Sequence, residues 1–161
     1  MSELVETQKT AKLAPLPQGT SWLSPFLTVK SIDSIIGLYE NVLGFQVNWT
    51  HLTKDEVMDY AQLSYNNCTI NLCLEGTSLA GISPAGMKGT PSSFYLYTES
   101  IDTIIKNVKA AEWTICDGLT EQFWGDKTFS CIDPEGYKWT FAMPYKAYNW
   151  GTCGGNESNC S

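Results

Sequence analysis

Hydrophobic and polar positions alternate with a period of two over residues 45–52, 57–65 and 68–74, and "WLSPFLTV" at 22–29 has the same strand character. That spacing belongs to half-buried strands. Between 22–29 and 45–52 the period changes. Ile32, Ile35, Ile36, Tyr39 and Leu43 follow at helical spacing, with Ser31 placed as the N-cap and Gly44 as the terminator. The same order then returns. "SSFYLYT" reads as a strand, Ser100 caps a helix carrying Ile101, Ile104, Ile105 and Val108, and strands follow near 113–117, 127–132 and 137–143. Asn66-Asn67 and "DPEG" at 133–136 supply the hairpin turns. The unit is β-α-β-β-β, and the chain carries it twice.

The two units are copies of one module. "FLTVKSIDSII" starts at 26 and "YLYTESIDTII" at 95, an offset of 69 (95 − 26). Leu27/Leu96, Ser31/Ser100, Ile32/Ile101, Asp33/Asp102, Ile35/Ile104 and Ile36/Ile105 are identical pairs at that offset, and it still aligns 68–72 with 137–141. The organisation predicted is a disordered leader (1–20), a first module (21–74), a Gly, Pro and Ser-rich linker (75–91), a second module (92–145) and a flexible tail (146–161). The fold class is α+β, with two βαβββ modules forming a curled mixed sheet around a cleft.

Alternation assigns faces. Leu23, Leu27 and Val29, with Ile70, Leu72 and Leu74, are expected to pack against the helix. Ser24, Phe26 and Thr28, and Thr69, Asn71 and Cys73, face the opposite way, toward the cleft. In the second module Ser93, Tyr95 and Tyr97 face the cleft with Lys138, Thr140 and Ala142, which leaves Trp139 and Phe141 in the core. The expected cleft is thus lined by ring faces, hydroxyls and one amide, with Trp22 adding a further ring.

Composition narrows the function. Hydrophobic residues make up 43% of the 161, enough for a proper core, and the net charge of −7 offers no footprint for nucleic acid or an anionic membrane. No apolar run is long enough to span a bilayer, and the first twenty residues lack the apolar stretch of a secretory signal, which points to a cytoplasmic chain. Its six cysteines then read as reduced thiols. They form no C-x-x-C pair, and there is a single histidine, His51, followed by Asp55, Glu56 and Asp59 in what reads as a solvated strand end.

"IIGLYENVLGF" at 35–45 and "DPEGYKWTFA" at 133–142, on a duplicated βαβββ frame, resemble the vicinal-oxygen-chelate superfamily of glyoxalase I, bleomycin-resistance proteins and extradiol dioxygenases. The run "FWGDKTFSCIDPEGYKWTF" is most similar to its phosphonate-operon (PhnB-like) and bleomycin-resistance-like branch. The resemblance covers about residues 22–143. It implies a glyoxalase-like fold and, in the family's metalloenzymes, a divalent metal held by His, Gln or Glu on four strands. Carried onto this chain, those positions are Ser24, Asn71, Ser93 and Thr140. None carries the charge or basicity such a cation needs. The implied reading is a protein that needs no metal or other cofactor and binds a small aromatic or amphipathic molecule. The bleomycin-resistance precedent implies a homodimer with the cleft at its interface. The alternative is a metal-dependent lyase, isomerase or dioxygenase. Ligand-binding candidates are Ser24, Phe26, Asn71, Ser93, Tyr95, Tyr97, Trp124, Lys138 and Thr140, with no catalytic residue assigned. Lys138 would favour an anionic ligand group. Phe123 and Trp124, in the loop "EQFWGD", read equally as a stacking platform or lid, a dimer contact or a core plug.

Overall fold

The computed structural model describes residues 21, 23–77, 80–87 and 92–146. The expected leader, Trp22 and nearly all of the expected tail, with Cys153 and Cys160, lie outside the described residues. Eight strands and two helices follow in chain order: β1 (Phe26–Val29), α1 (Ile32–Leu38), β2 (Gln46–Leu52), β3 (Met58–Tyr65), β4 (Cys68–Leu74), β5 (Ser93–Tyr97), α2 (Ile101–Ala110), β6 (Thr114–Glu121), β7 (Asp126–Ile132) and β8 (Lys138–Pro144). A short 3-10 turn, Pro84–Gly86, lies between the modules. The strands form two four-stranded sheets, β1-β4-β3-β2 and β5-β8-β7-β6. In each, the first strand runs parallel to the last and the hairpins are antiparallel.

The duplication survives in the hydrogen-bonded register. Phe26 pairs with Asn71 and Leu27 with Leu72; 69 residues on, Tyr95 pairs with Thr140 and Leu96 with Phe141. The hairpins differ. Asn66-Asn67 closes directly on Tyr65 and Cys68, whereas the second hairpin opens over Asp133–Tyr137. Gly136 permits that turn at a φ of 88°.

Helix α1 begins as the sequence predicts, with the Ser31 hydroxyl accepting from the Ser34 amide. The five residues that follow it, Tyr39–Leu43, continue the helix as a π turn that ends at Gly44 in the left-handed region. Tyr39, Val42 and Leu43, spaced i, i+3 and i+4 on one face, are all buried. Ser100 sits at the start of α2 but its hydroxyl makes no capping bond. Instead Thr98 accepts from the Ser100 amide at 3.1 Å.

The two modules pack through their helix-bearing sides. One apolar cluster runs through both, from Leu27, Ile35, Tyr39 and Phe45 to Ile104, Phe129, Trp139 and Phe141. Trp139 is its hub, with ring centres 5.5 Å from Tyr39, 5.7 Å from Phe45 and 4.8 Å from Phe94. Asp133 is buried beside it. One carboxylate oxygen accepts from the Tyr39 hydroxyl (2.6 Å) and the Trp139 indole (2.8 Å), and the other from the Tyr137 amide (3.0 Å). Glu135, also buried, accepts from the Lys30 amide and the Ser83 hydroxyl. The Tyr137 hydroxyl donates to the Thr28 carbonyl. A turn of the second module is thereby bonded into the first.

The packing sets which face of each sheet stays open. The helix-bearing sides meet, and the opposite faces of the two sheets are left open. No described strand of one sheet pairs with a strand of the other. Leu23 corrects the expected faces. It is 83% exposed, because β1 starts only at Phe26 and alternation does not extend back to 23.

Candidate functional site

The open face of the first sheet holds a cavity of about 460 Å³ lined by Phe26, Trp49, His51, Asp59, Tyr60, Cys73 and Thr77. Two bulges build it. Val47 pairs with Leu63 on the helix side, and the register shift that follows pairs Trp49 with Gln62 on the open side. Trp49 therefore faces the cavity and stacks on Tyr60 at 4.6 Å and 24°. At the second bulge His51 pairs with Tyr60 and Leu52 with Met58, so Asp59 is the extra residue. Its carboxylate turns back to accept from His51 Nδ1 at 2.6 Å. Phe26 meets the edge of Tyr60 at 6.2 Å. Beneath the rings, Asn71 accepts from the Tyr60 hydroxyl (2.6 Å) and from Gln62 (3.3 Å). Burial, then the nearby Asp59 charge, pushes the Cys73 thiol up, which makes it a poor nucleophile.

The open face of the second sheet has a different centre, Asp126. The residue is 5% exposed, and three donors converge on its Oδ2: Tyr95 (2.7 Å), Tyr97 (3.0 Å) and the Trp124 indole (3.1 Å). The tight turn 122–125 places it. Gln122 N donates to Asp126 O at 2.7 Å, and Gly125 takes a φ of 97°. Tyr95 and Tyr97 stay about half exposed, 5.5 Å apart edge to face. Burial and the Asp126 hydrogen bond push the Tyr95 phenol up to about 12. For Tyr97 the Asp126 bond raises it first and burial second. Both phenols therefore remain donors at neutral pH. Phe123 stands outside this group, 4.9 Å from Trp124 and largely exposed.

The sequence-predicted residues divide accordingly. Phe26 and Asn71 belong to the first face, and Tyr95, Tyr97, Trp124 and Thr140 to the second. Ser24 precedes β1 and is bonded to Thr69 and, at 3.2 Å, to Ser21. Ser93 is exposed at the start of β5. Lys138 lies 3.6 Å from Asp117, so its charge is already answered. The single cleft expected to hold all nine is not closed within the described chain. Sequence reasoning missed Trp49, His51 with Asp59, Tyr60 and Asp126. Tyr60 and Asp126 were within reach of alternation: Tyr60 shares the face of Gln62 in the expected strand 57–65, and extending β7 back by one residue sets Asp126 on the face of Thr128 and Ser130.

The four positions that would carry a divalent ion do not fit one. Ser24, Asn71 and Thr140 spend their polar atoms on Thr69, on Tyr60 and Gln62, and on Ser130 respectively, and all four are neutral. Among the described residues no group of three or more His, Cys, Asp or Glu is placed to hold a metal ion. Nor is any described helix long and apolar enough to cross a membrane.

Two βαβββ modules with these open faces define a glyoxalase-type scaffold. The model of the Glyoxalase/Bleomycin resistance protein/Dioxygenase superfamily matches residues 21–141, and the chain belongs to that family. A Mycobacterium bovis protein, Mb0911c, is 26% identical over 130 residues, spanning 79% of this chain and 86% of its own. Among solved structures, TioX from Micromonospora sp. ML1 superposes with a TM-score of 0.62 at 17% identity, covering 75% of this chain and 97% of its own. A glyoxalase-related enzyme from Clostridium phytofermentans gives 0.56 at 20% identity, covering 80% and 99%. At such identities the likeness is one of fold.

Proposed function

We propose that this chain is a metal-independent binding protein that holds a small aromatic or amphipathic molecule between the open sheet faces of two copies. The observation that carries this reading is that both faces present half-exposed rings over hydrogen-bonded polar floors. Phe26 and Trp49 stand 54% and 49% exposed on the first, Tyr95 and Tyr97 47% and 53% on the second. A soluble domain that leaves such rings open on a sheet face has a partner or ligand for them. Within one chain the helix-bearing sides are already used, so a second copy is the natural cover. A twofold pairing of the first face of one protomer with the second face of the other gives two equivalent clefts. Ring burial supplies the affinity, and the Asn71 and Asp126 clusters orient the guest.

Light scattering on the full chain is expected to give a dimer, and elemental analysis no stoichiometric metal. Against a ligand found by fluorescence screening, Trp124→Ala and Tyr95→Ala are each expected to weaken binding about tenfold or more, the scale of losing a stacked ring. Unchanged affinity in both variants removes the assignment. Stoichiometric, chelator-sensitive metal would favour the metal-dependent lyase, isomerase or dioxygenase instead.

A further inference from the structure

We propose that the open face of the second sheet is a recognition site for an alkylated ammonium group, seated against the rings of Tyr95, Tyr97 and Trp124 and balanced by Asp126. This deepens the binding reading above and rests on it; what it adds is the charge and class of the ligand group.

The argument starts from an unbalanced charge. Asp126 is almost fully buried, yet its three partners are neutral donors, and all three bind one oxygen, Oδ2. Buried Asp133 and Glu135 are also held by neutral donors, but they lie inside the packed core, whereas Asp126 lies beneath rings that are half open to solvent, where a cation can reach it. Among the described residues no lysine forms an ion pair with Asp126, and two that lie on its sheet are engaged elsewhere. The Lys127 ammonium lies 3.1 Å from Glu121 and over the Tyr145 ring, and Lys138 pairs with Asp117. The chain contains no arginine, so no guanidinium clamp for an anion is available.

The rings complete the case. The π faces of Tyr and Trp carry negative quadrupole potential and attract a cation held within about 6 Å. Donating to Asp126 strengthens this, because a phenol bonded to a carboxylate gains electron density. The same bonds fix the orientation of all three rings, so little entropy is lost when a guest arrives. An anion would meet a carboxylate and three electron-rich rings. An alkylated ammonium, weakly hydrated and with no need of hydrogen-bond acceptors, meets a ready cradle. The chain's net charge of −7 acts in the same direction at long range.

The test uses choline and its uncharged isostere 3,3-dimethylbutan-1-ol on the full chain. Calorimetry reads affinity, and the Trp124 indole N–H resonance reads location. Choline is expected to bind about tenfold or more tighter than the alcohol, to shift that resonance, and to weaken as salt rises. Asp126→Asn, nearly isosteric and still an acceptor, is expected to remove the preference for charge. Tyr97→Phe, which keeps the ring and drops one bond, is expected to reduce it while circular dichroism confirms the fold. Equal binding of choline and the alcohol, or choline binding that Asp126→Asn leaves unchanged, overturns the proposal. Should a neutral aromatic ligand bind through Trp124 while choline neither binds nor competes, the cation assignment falls and the binding reading stands.

Discussion

Replacing Tyr39 by Phe removes one atom from the contact that locks the two modules together. The ring keeps its place against Phe45 and Trp139, and only the hydroxyl that donates to Asp133 at 2.6 Å is lost. A hydrogen bond to a buried carboxylate contributes about 1.5–3 kcal/mol. For a domain of this size each kcal/mol moves the melting temperature by about 2–4 °C, so a fall of about 3–12 °C is expected. The loss also depends on pH. Burial holds the Asp133 carboxyl above its ordinary value of 3.8, while the Trp139, Tyr39 and backbone donors pull it back down. A raised value in the folded state means that the folded chain binds this proton more readily than the unfolded one. The contribution of Asp133 is therefore greatest below 3.8 and declines as pH climbs through the folded value. Removing Tyr39's hydroxyl deletes one of the donors that favour the carboxylate, so the decline runs to higher pH and is larger in total. Urea melts of both proteins at about pH 4 and about pH 7 should show the larger loss at the higher pH. A loss below about 0.5 kcal/mol at both, or a larger loss in acid, would refute the contact and with it the mutual placement of the modules.

Gly136→Ala should lower stability by more than about 1 kcal/mol in a thermal melt, since its φ is 88° and a Cβ there would stand 3.0 Å from the Pro84 carbonyl carbon. A neutral Gly136→Ala would contradict the turn. Alkylation mapped by mass spectrometry should label exposed Cys116 and Cys68 quickly in the folded chain. Cys131, whose thiol burial pushes up to about 12, should stay unlabelled until the chain unfolds. Early labelling of Cys131 would mean that the second module opens locally. On the first face, Trp49→Ala should weaken ligand binding as Trp124→Ala does on the second, while leaving the melting temperature within about 2 °C because the ring is half exposed.

Much of the scaffold could be read directly because the module is repeated. An offset of 69 residues in sequence became the same offset in the parallel register, and the aromatic weight of "YKWTF" went into the core as alternation assigns it. What escaped were departures from regular periods. Trp49 shares sequence parity with Val47 but sits on the other face, because a bulge between them flips the strand. Asp59 reached His51 by the same device, so a segment that reads as a solvated strand end became the rim of a cavity. Leu23 was assigned inward on a strand that had not yet begun. Asp133 looked like an ordinary turn residue, since nothing local announces that Tyr39, 94 residues away in the chain, will donate to it. The candidate set of rings and hydroxyls could be assigned to sheet faces by alternation. Its division between two open faces could not be read in this way, because how two modules dock depends on packing between residues remote in sequence.

The most direct test of the shared cleft is subunit mixing. Trp49→Ala disables the first face and Trp124→Ala the second, and each variant alone should bind ligand poorly. If each cleft joins the first face of one copy to the second face of the other, exchanging the two variants creates heterodimers with one intact cleft, and a titration should recover about a quarter of the sites at wild-type affinity. No recovery after verified exchange would place the binding site within a single chain and contradict the account.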